Sequence, residues 1–342
     1  MNNMLTPTTG VTPALLDQFG RQVNYLRISV TDRCDFRCVY CMGEEMEFVP
    51  RRDILSLEEI CRVAQAFTEL GVRKIRLTGG EPLIRNNVVS LVKQLAQLPG
   101  LEQLAMTTNG SQLTTMATDL RQAGLTSLNI SLDTLNPDRF KKMTRTGKLD
   151  KVLRGIDAAR ETQFEQLKLN AVIIKGHNED EVLDLIEYAR QQSLHISFIE
   201  EMPLGNIQEH DRELAFCGSE ELHAIINSRY ALTSLGEPLQ DAGPSRYFAM
   251  SDSNTRVGFI SPHSNNFCHL CNRVRLTAEG RLLLCLGNEH SVDLRQILRQ
   301  PASSAELLKQ SIVSALDLKP ERHYFDLQAE PQILRFMNAT GG

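Results

Sequence analysis

The run Tyr25-Leu26-Arg27-Ile28-Ser29-Val30-Thr31-Asp32-Arg33-Cys34-Asp35-Phe36-Arg37-Cys38-Val39-Tyr40-Cys41 joins a short strand pattern to a loop bearing three thiols. Aromatic and β-branched residues from Tyr25 to Val30 favour an extended segment, and the polar residues that follow end it. Cys34-x3-Cys38-x2-Cys41 can turn three sulfurs toward one centre without closing a long loop. Iron–sulfur clusters are held by four thiolates as a rule, so a local set of three leaves one iron of a four-iron cluster open to another ligand. A zinc site completed by a distant histidine is the competing reading.

Working outward, strand patterns recur at Lys74–Thr78, Gln103–Thr108, Ser127–Leu132, Leu167–Ile174 and Ile196–Glu200. Helical patterns separate them. Ser56 with Glu59 reads as a capping box, followed by a stripe of Leu57, Ile60, Ala64, Phe67 and Leu70. Asn178 is expected to cap the helix carrying Val182, Leu185, Ile186 and Ala189. Six such βα units predict an α/β fold with a parallel sheet. The unusual residues follow the strands in turn: the cysteine loop, Gly79-Gly80-Glu81-Pro82, Asn109-Gly110, Asp133, Lys175-Gly176-His177 and Glu201-Met202-Pro203. Parallel barrels collect their active sites at these carboxyl ends. A full barrel needs eight units, so a partial, open (β/α) barrel of about six units is expected.

The chain has 342 residues, 42% hydrophobic and 23% charged, with a formal net charge of −5. That composition excludes a largely disordered chain and a general polyanion binder, so any phosphate must meet a local basic cluster. Residues 1–20 are polar and read as a flexible segment, neither signal nor transit peptide, and no apolar run is long enough to span a bilayer. A cytoplasmic, reducing setting is expected, in which eight cysteines point to metal ligation rather than disulfides. Composition changes near residue 210, giving units at 21–210 and 211–342, the second a smaller α+β region with a helix near Ser219–Ser228.

A second triad, Cys268-x2-Cys271-x13-Cys285, lies in that region. With His263 and His269 nearby, its spacing suits structural zinc as well as a cluster. Cys61 falls on the apolar stripe of a helix and reads as core. Asn272–Thr277 and Arg281–Leu286 read as strands of a hairpin around Ala278-Glu279-Gly280, with glycine at the left-handed position. In that register Thr277 faces Arg281 and Arg273 faces Cys285. Period-two alternation then puts Arg273, Arg275 and Cys285 on one face, two guanidiniums beside the metal centre.

The CxxxCxxC triad with an aromatic before its last cysteine, and the downstream Gly-Gly-Glu-Pro, resemble the radical S-adenosylmethionine superfamily. Within it, Tyr25–Cys34, Leu77–Leu83, Thr107–Gly110, Phe267–Arg275 and the terminal Gly341-Gly342 resemble the molybdenum cofactor biosynthesis protein A branch, the GTP 3′,8-cyclases. The resemblance implies one [4Fe–4S] cluster on Cys34, Cys38 and Cys41 that binds S-adenosylmethionine, and another on Cys268, Cys271 and Cys285. Tyr40, Gly80, Ser131 and Met202 would line the S-adenosylmethionine pocket. Arg27, Arg76, Thr107, Lys168, Arg273 and Arg275 would hold GTP. The implied reaction forms (8S)-3′,8-cyclo-7,8-dihydroguanosine 5′-triphosphate, the first step of molybdenum cofactor synthesis. A 5′-deoxyadenosyl radical takes the ribose 3′ hydrogen, C3′ attacks guanine C8, and no protein side chain is assigned as catalytic. An external electron donor and transfer of product to the cyclic pyranopterin monophosphate synthase are implied as well. Neither nucleic acid nor membrane is expected as a partner, and a homodimer stays open.

One position departs from the branch. Where it often has Arg-Phe-Ile-Glu, this chain has Ser197-Phe198-Ile199-Glu200, and Arg212 or Arg246 is the expected substitute for the missing phosphate contact. Two rival readings remain at this point. One is another radical enzyme acting on a peptide or small molecule; the other is a zinc-binding or electron-carrying module.

Overall fold

The computed structural model describes residues 15–207, 212–236, 243–325 and 333–341. Six parallel strands follow one another in sequence and in space: β1 (Tyr25–Ser29), β2 (Lys74–Thr78), β3 (Gln103–Thr108), β4 (Ser127–Ser131), β5 (Gln166–Ile173) and β6 (His195–Glu200). Each connection carries helix: α1 (Leu57–Glu69), α2 (Val88–Leu95), α3 (Leu113–Gln122), α4 (Pro137–Thr144) with α5 (Leu149–Glu161), and α6 (Val182–Gln191). The capping box of Ser56 and Glu59 is present at the start of α1, and Ile60, Ala64 and Phe67 are buried beneath it. Cys61 is half-buried on that helix, its thiol near Gln94 at 3.7 Å.

Asn178 corrects the expected cap. Its carboxamide takes the Ile174 N–H and donates to the carbonyls of Asp133 and Val172, so it ties the ends of two strands together. Glu181 precedes α6 instead, and its carboxylate accepts from Thr134 and Leu135.

Six units do not complete the sheet. β7 (Leu232–Ser234), β8 (Arg246–Met250) and β9 (Ser253–Ile260) extend it beyond β6, and β10 (Arg273–Leu276), β11 (Arg281–Leu283) and β12 (Ser291–Asp293) extend it beyond β1. Both flanking contacts, β6 with β9 and β1 with β10, are parallel. Residues 261–272, with Cys268 and Cys271, therefore run from one edge of the parallel array to the other. That segment carries the chain from the β6 side of the array back to the β1 side. The composition change expected near 210 falls at 208–211, outside the described residues, as do residues 1–14 of the expected flexible segment.

Alternation fixes which way the sheet curls. Leu26, Ile28, Ile75, Leu77, Leu104, Met106, Leu128, Ile130, Leu169, Ile196 and Phe198 all face the helices in one apolar core. Burying each such side chain contributes about 1.5–3 kcal/mol. Tyr25, Arg27, Lys74, Arg76, Thr107, Asn129, Lys168, Asn170 and His195, on the other parity, line an interior cavity of about 540 Å³. The barrel's inside is a polar chamber.

Ser56→Ala removes one side of the capping box and is expected to lower stability by about 1 kcal/mol. Urea unfolding of the protein measures this.

Candidate active site

The first triad sits directly after β1. Its loop is strapped down through backbone bonds, Arg37 N to Thr144 O and Val39 N to Met143 O, both 2.9 Å, at the end of α4. Asp35 accepts from Asn109 Nδ2 (2.7 Å) and Ser111 Oγ (2.6 Å) beyond β3. Gly80 lies so close to the Arg33 carbonyl that a side chain there would run into backbone. Glu81 is fully buried, accepting from Thr108 Oγ1, Asn109 N and Leu83 N, and burial lifts its carboxyl to about 7 against those bonds. Tyr40 donates to Asp133 Oδ2 at 2.7 Å, and Asp133 also accepts from Val172 N. Ser131 ends β4 two residues before Asp133, and Met202 lines the large cavity beyond β6.

Burial pushes all three thiols up, Cys41 to about 12. Glu81 adds to this for Cys34, and Cys41 and Asp133 for Cys38. As ligands, such sulfurs would become thiolates by exchanging their protons for metal. The donor set suits a cluster. All eight cysteines are free, so the three thiols of this loop are available as ligands. A cluster spreads its thiolates over separate irons.

The other half of the chamber is cationic. Strand register sets Arg273 beside Tyr25 beside Lys74, and one step along, Arg275 beside Arg27 beside Arg76. All six residues line the cavity. Tyr25 stands alone among five cations. Its hydroxyl receives Arg76 Nε at 2.8 Å and Arg27 NH1 at 3.3 Å, and Lys74 Nζ lies 5.1 Å from its ring. Burial opposes ionisation, yet Arg76, Arg27, Lys74 and Arg273 together bring its pKa down to about 6. Burial lowers Arg27 to about 10, with Tyr25 opposing that fall. Burial, Arg27 and Arg273 depress Arg275 as well. Arg76 also reaches Met106 O (3.1 Å) and Thr107 Oγ1 (3.4 Å).

The second triad faces this grid. Cys268, Cys271 and Cys285 line the same cavity as Arg273 and Arg275. Thr277 N bonds Arg281 O at 2.9 Å and Gly280 adopts φ +85°, so the hairpin has the expected register and loop. Its strands are shorter than the sequence suggests. Pairing ends at Arg275 with Leu283, and Arg273 and Cys285 do not pair in the ladder. Lys319 Nζ occupies the opening, bonded to Arg273 O (3.0 Å) and Leu284 O (2.8 Å). Burial raises the Cys271 thiol, but Lys319 and then Arg273 overcome that and bring it to about 7. His323 bridges Cys268 Sγ and the Pro262 carbonyl, both at 3.0 Å.

The tail reaches both halves. Asn338 Nδ2 donates to Asp32 O at 2.8 Å, its backbone N–H meets the Cys41 sulfur, and Gly341 O receives Arg275 NH1. Gly342 lies outside the described residues.

At Ser197 the expected substitutes are not in position. Arg212 is spent on Glu201 (3.1 Å) and the carbonyls of Leu204 and Gly205, and Arg246 is not among the cavity's lining residues. Ser197 Oγ instead joins Lys168 Nζ (3.2 Å) and Ser245 Oγ (2.8 Å), while Tyr247 OH receives Lys168 at 3.1 Å. The additional cations in the cavity are Lys74 and Arg256. Lys74 could have been found from Arg76, since residues two apart on a strand share a face. Arg256 had no such signal, because β9 joins the barrel only through its pairing with β6.

Two family models match the chain: the Radical SAM superfamily over residues 28–189, and Molybdenum Cofactor Synthesis C over residues 194–325. The GTP 3′,8-cyclase of Marinobacter nauticus is 60% identical over 328 residues, 96% of this chain and 98% of that protein. The GTP 3′,8-cyclase 2 of Pseudomonas aeruginosa is 57% identical over 329 residues, with the same coverage. Among solved structures, Streptococcus suis SuiB bound to S-adenosylmethionine aligns over 92% of this chain and 79% of its own. Its TM-score is 0.57 at 15% identity, a likeness of fold.

The grid makes Tyr25 titrate early. Its folded pKa of about 6 lies below the usual phenol value of ~10, so between the two pH values unfolding takes up a proton. The resulting stabilisation is complete above pH ~10 and is lost as pH falls through ~6. An ultraviolet titration of the metal-free protein is expected to reveal a phenolate with a midpoint near pH 6, absent in Tyr25→Phe.

Proposed function

This chain belongs to the GTP 3′,8-cyclase family of radical S-adenosylmethionine enzymes, and from that premise we propose how its own residues divide the work. The reaction is conversion of GTP to (8S)-3′,8-cyclo-7,8-dihydroguanosine 5′-triphosphate, the first step of molybdenum cofactor biosynthesis, with S-adenosylmethionine and [4Fe–4S] clusters as cofactors. When bound, the first cluster and S-adenosylmethionine would supply the radical chemistry that joins the ribose 3′ carbon to guanine C8.

In our reading Cys34, Cys38 and Cys41 hold the cluster that binds S-adenosylmethionine, in the setting of Tyr40, Gly80, Ser131 and Met202. Cys268, Cys271 and Cys285 hold the second cluster. Arg27, Arg76, Thr107, Lys168, Arg273 and Arg275, joined by Lys74 and Arg256, receive GTP. The observation that carries this reading is the two-row cationic grid beside the second triad. A triphosphate is the anion that several converging guanidiniums bind best, through paired charge-assisted bonds. Cations fixed before substrate arrives need no reorganisation, which also holds the ribose in one position during hydrogen transfer. Thr107 and Asn129, on neighbouring strands, offer neutral donors where charge gives way to sugar.

We also take 21–210 and 211–342 as the working units, the first providing S-adenosylmethionine chemistry and the second closing the chamber with the second triad. The reaction needs electrons from an external donor, and oxygen-sensitive clusters suit a reducing cytoplasm. No helix among the described residues is long and apolar enough to cross a membrane. The product keeps its triphosphate and passes to the cyclic pyranopterin monophosphate synthase.

Anaerobic reconstitution followed by iron counting, then addition of dithionite, S-adenosylmethionine and GTP, tests the assignment. Both 5′-deoxyadenosine and cyclised nucleotide are expected. Arg275→Ala removes a charge-assisted contact worth about 1.5–3 kcal/mol, so KM for GTP should rise about tenfold to a hundredfold. Iron on the first triad and S-adenosylmethionine cleavage without GTP should stay unchanged; loss of that iron would show Arg275 to be misassigned.

A further inference from the structure

Lys319 follows the helix Ala305–Ala315 and the turn Leu316–Leu318, and its side chain runs inward to the second triad. Only 1% of it is exposed. Nζ donates to Leu284 O at 2.8 Å, Arg273 O at 3.0 Å and Cys271 Sγ at 3.5 Å. Two of these acceptors are carbonyls, and three acceptors consume three N–H bonds, which only the ammonium form carries. Among the described residues no carboxylate pairs with it. A buried ammonium is strongly disfavoured unless an anion compensates it. The Cys271 sulfur, as a thiolate, is the anion within reach.

The two carbonyl bonds explain the position of the side chain. They close the hairpin where β10 and β11 stop pairing, linking the segment after Cys271 to the residue before Cys285. A neutral donor could do that much. The third N–H, directed at sulfur, calls for a further role. Hydrogen bonds to cluster sulfurs and the local net charge set a cluster's reduction potential.

We propose that Lys319 is a positioning residue of the second cluster: its ammonium donates to the Cys271 thiolate, fixes that ligand and makes the cluster easier to reduce. The proposal rests on Cys268, Cys271 and Cys285 holding a cluster. The neighbouring groups fit the same role in weaker form, since Arg21 NH1 bonds the Cys268 carbonyl at 2.9 Å and His323 touches the Cys268 sulfur. Neither offers a buried full charge to a ligand sulfur as Lys319 does.

The test isolates the second cluster in full-length protein carrying Cys34→Ala, Cys38→Ala and Cys41→Ala. After anaerobic reconstitution, four irons per chain are expected on the basis of one four-iron cluster. With ¹⁵N-lysine in the chain and dithionite as reductant, pulsed electron paramagnetic resonance should show a ¹⁵N coupling to the reduced cluster. That coupling should vanish in Lys319→Arg. The midpoint potential should shift to more negative values in Lys319→Gln and stay near the parent's in Lys319→Arg. Failure of the triple variant to hold iron would overturn the second-cluster reading and the proposal with it. Full iron without ¹⁵N coupling, or with Lys319→Gln at the parent's potential, would overturn the Lys319 proposal alone. The coupling is read in unsubstituted Lys319, so a Lys319→Gln chain that folds poorly does not remove the test.

Discussion

Like charges crowded on three adjacent strands are the constraint from which the rest of this chamber follows. At the ~5 Å spacing of neighbouring strands, two unit charges repel by about 3 kcal/mol for an effective dielectric near 20. Arg273, Lys74, Arg275, Arg27 and Arg76 occupy five of six adjacent positions, so the folded chain must offset several such repulsions. Tyr25, in the sixth position, offsets part by approaching the phenolate form between Arg27 and Arg76. The outer face contributes as well, since the same strands bury leucine, isoleucine and valine against the helices. A bound triphosphate would neutralise the grid, so substrate should stabilise the fold as well as occupy it.

The two triads differ in surroundings more than in sequence. Acidic groups stand near the first: Glu81 and Asp35 by Cys34, Asp133 by Cys38 and Cys41. Cations stand near the second: Lys319, Arg273 and Arg21 by Cys271. In the assignment proposed above, the sulfonium of S-adenosylmethionine would meet the acidic surroundings and the triphosphate of GTP the cationic ones. A cluster placed in the wrong half would face the wrong field.

Much of this was legible in the sequence. The six strands needed only short β-branched runs ending in Gly, Asn or charge, and their observed bounds lie within one residue of that reading. The hairpin register followed from Gly280 and the length of its loop. What stayed hidden arises from contacts distant in sequence. β9 and β10 complete the parallel array through pairing with β6 and β1, which no local pattern announces. Lys319 reaches the open end of the hairpin from more than thirty positions away. Asn178 satisfies three backbone groups of two strand ends rather than a helix start. The polar parity of the strands was visible, and Lys74 taken together with Arg76, two apart on one strand, is the sequence signal of the cationic grid.

Closure of the chamber depends on the end of the chain. Arg275 belongs to the cationic grid and also donates to Gly341 O, so the tail shares a group with the proposed phosphate site. Three residues earlier, the Asn338 backbone N–H meets Cys41 of the first triad. A short stretch thus touches both halves of the chemistry. Gly341 must do so at φ +78°, where L side chains are strained, and with Thr78 in the space a Cβ would need. Glycine is therefore required here on two independent grounds, backbone conformation and volume. The tail's carbonyl occupies a guanidinium that we propose receives GTP, so phosphate and tail would divide the donors of Arg275. A guanidinium has five N–H donors, enough to serve both at once. Arginine at 275 is thus the side chain able to join the tail to the substrate, which a lysine, with its single point charge, would do less well.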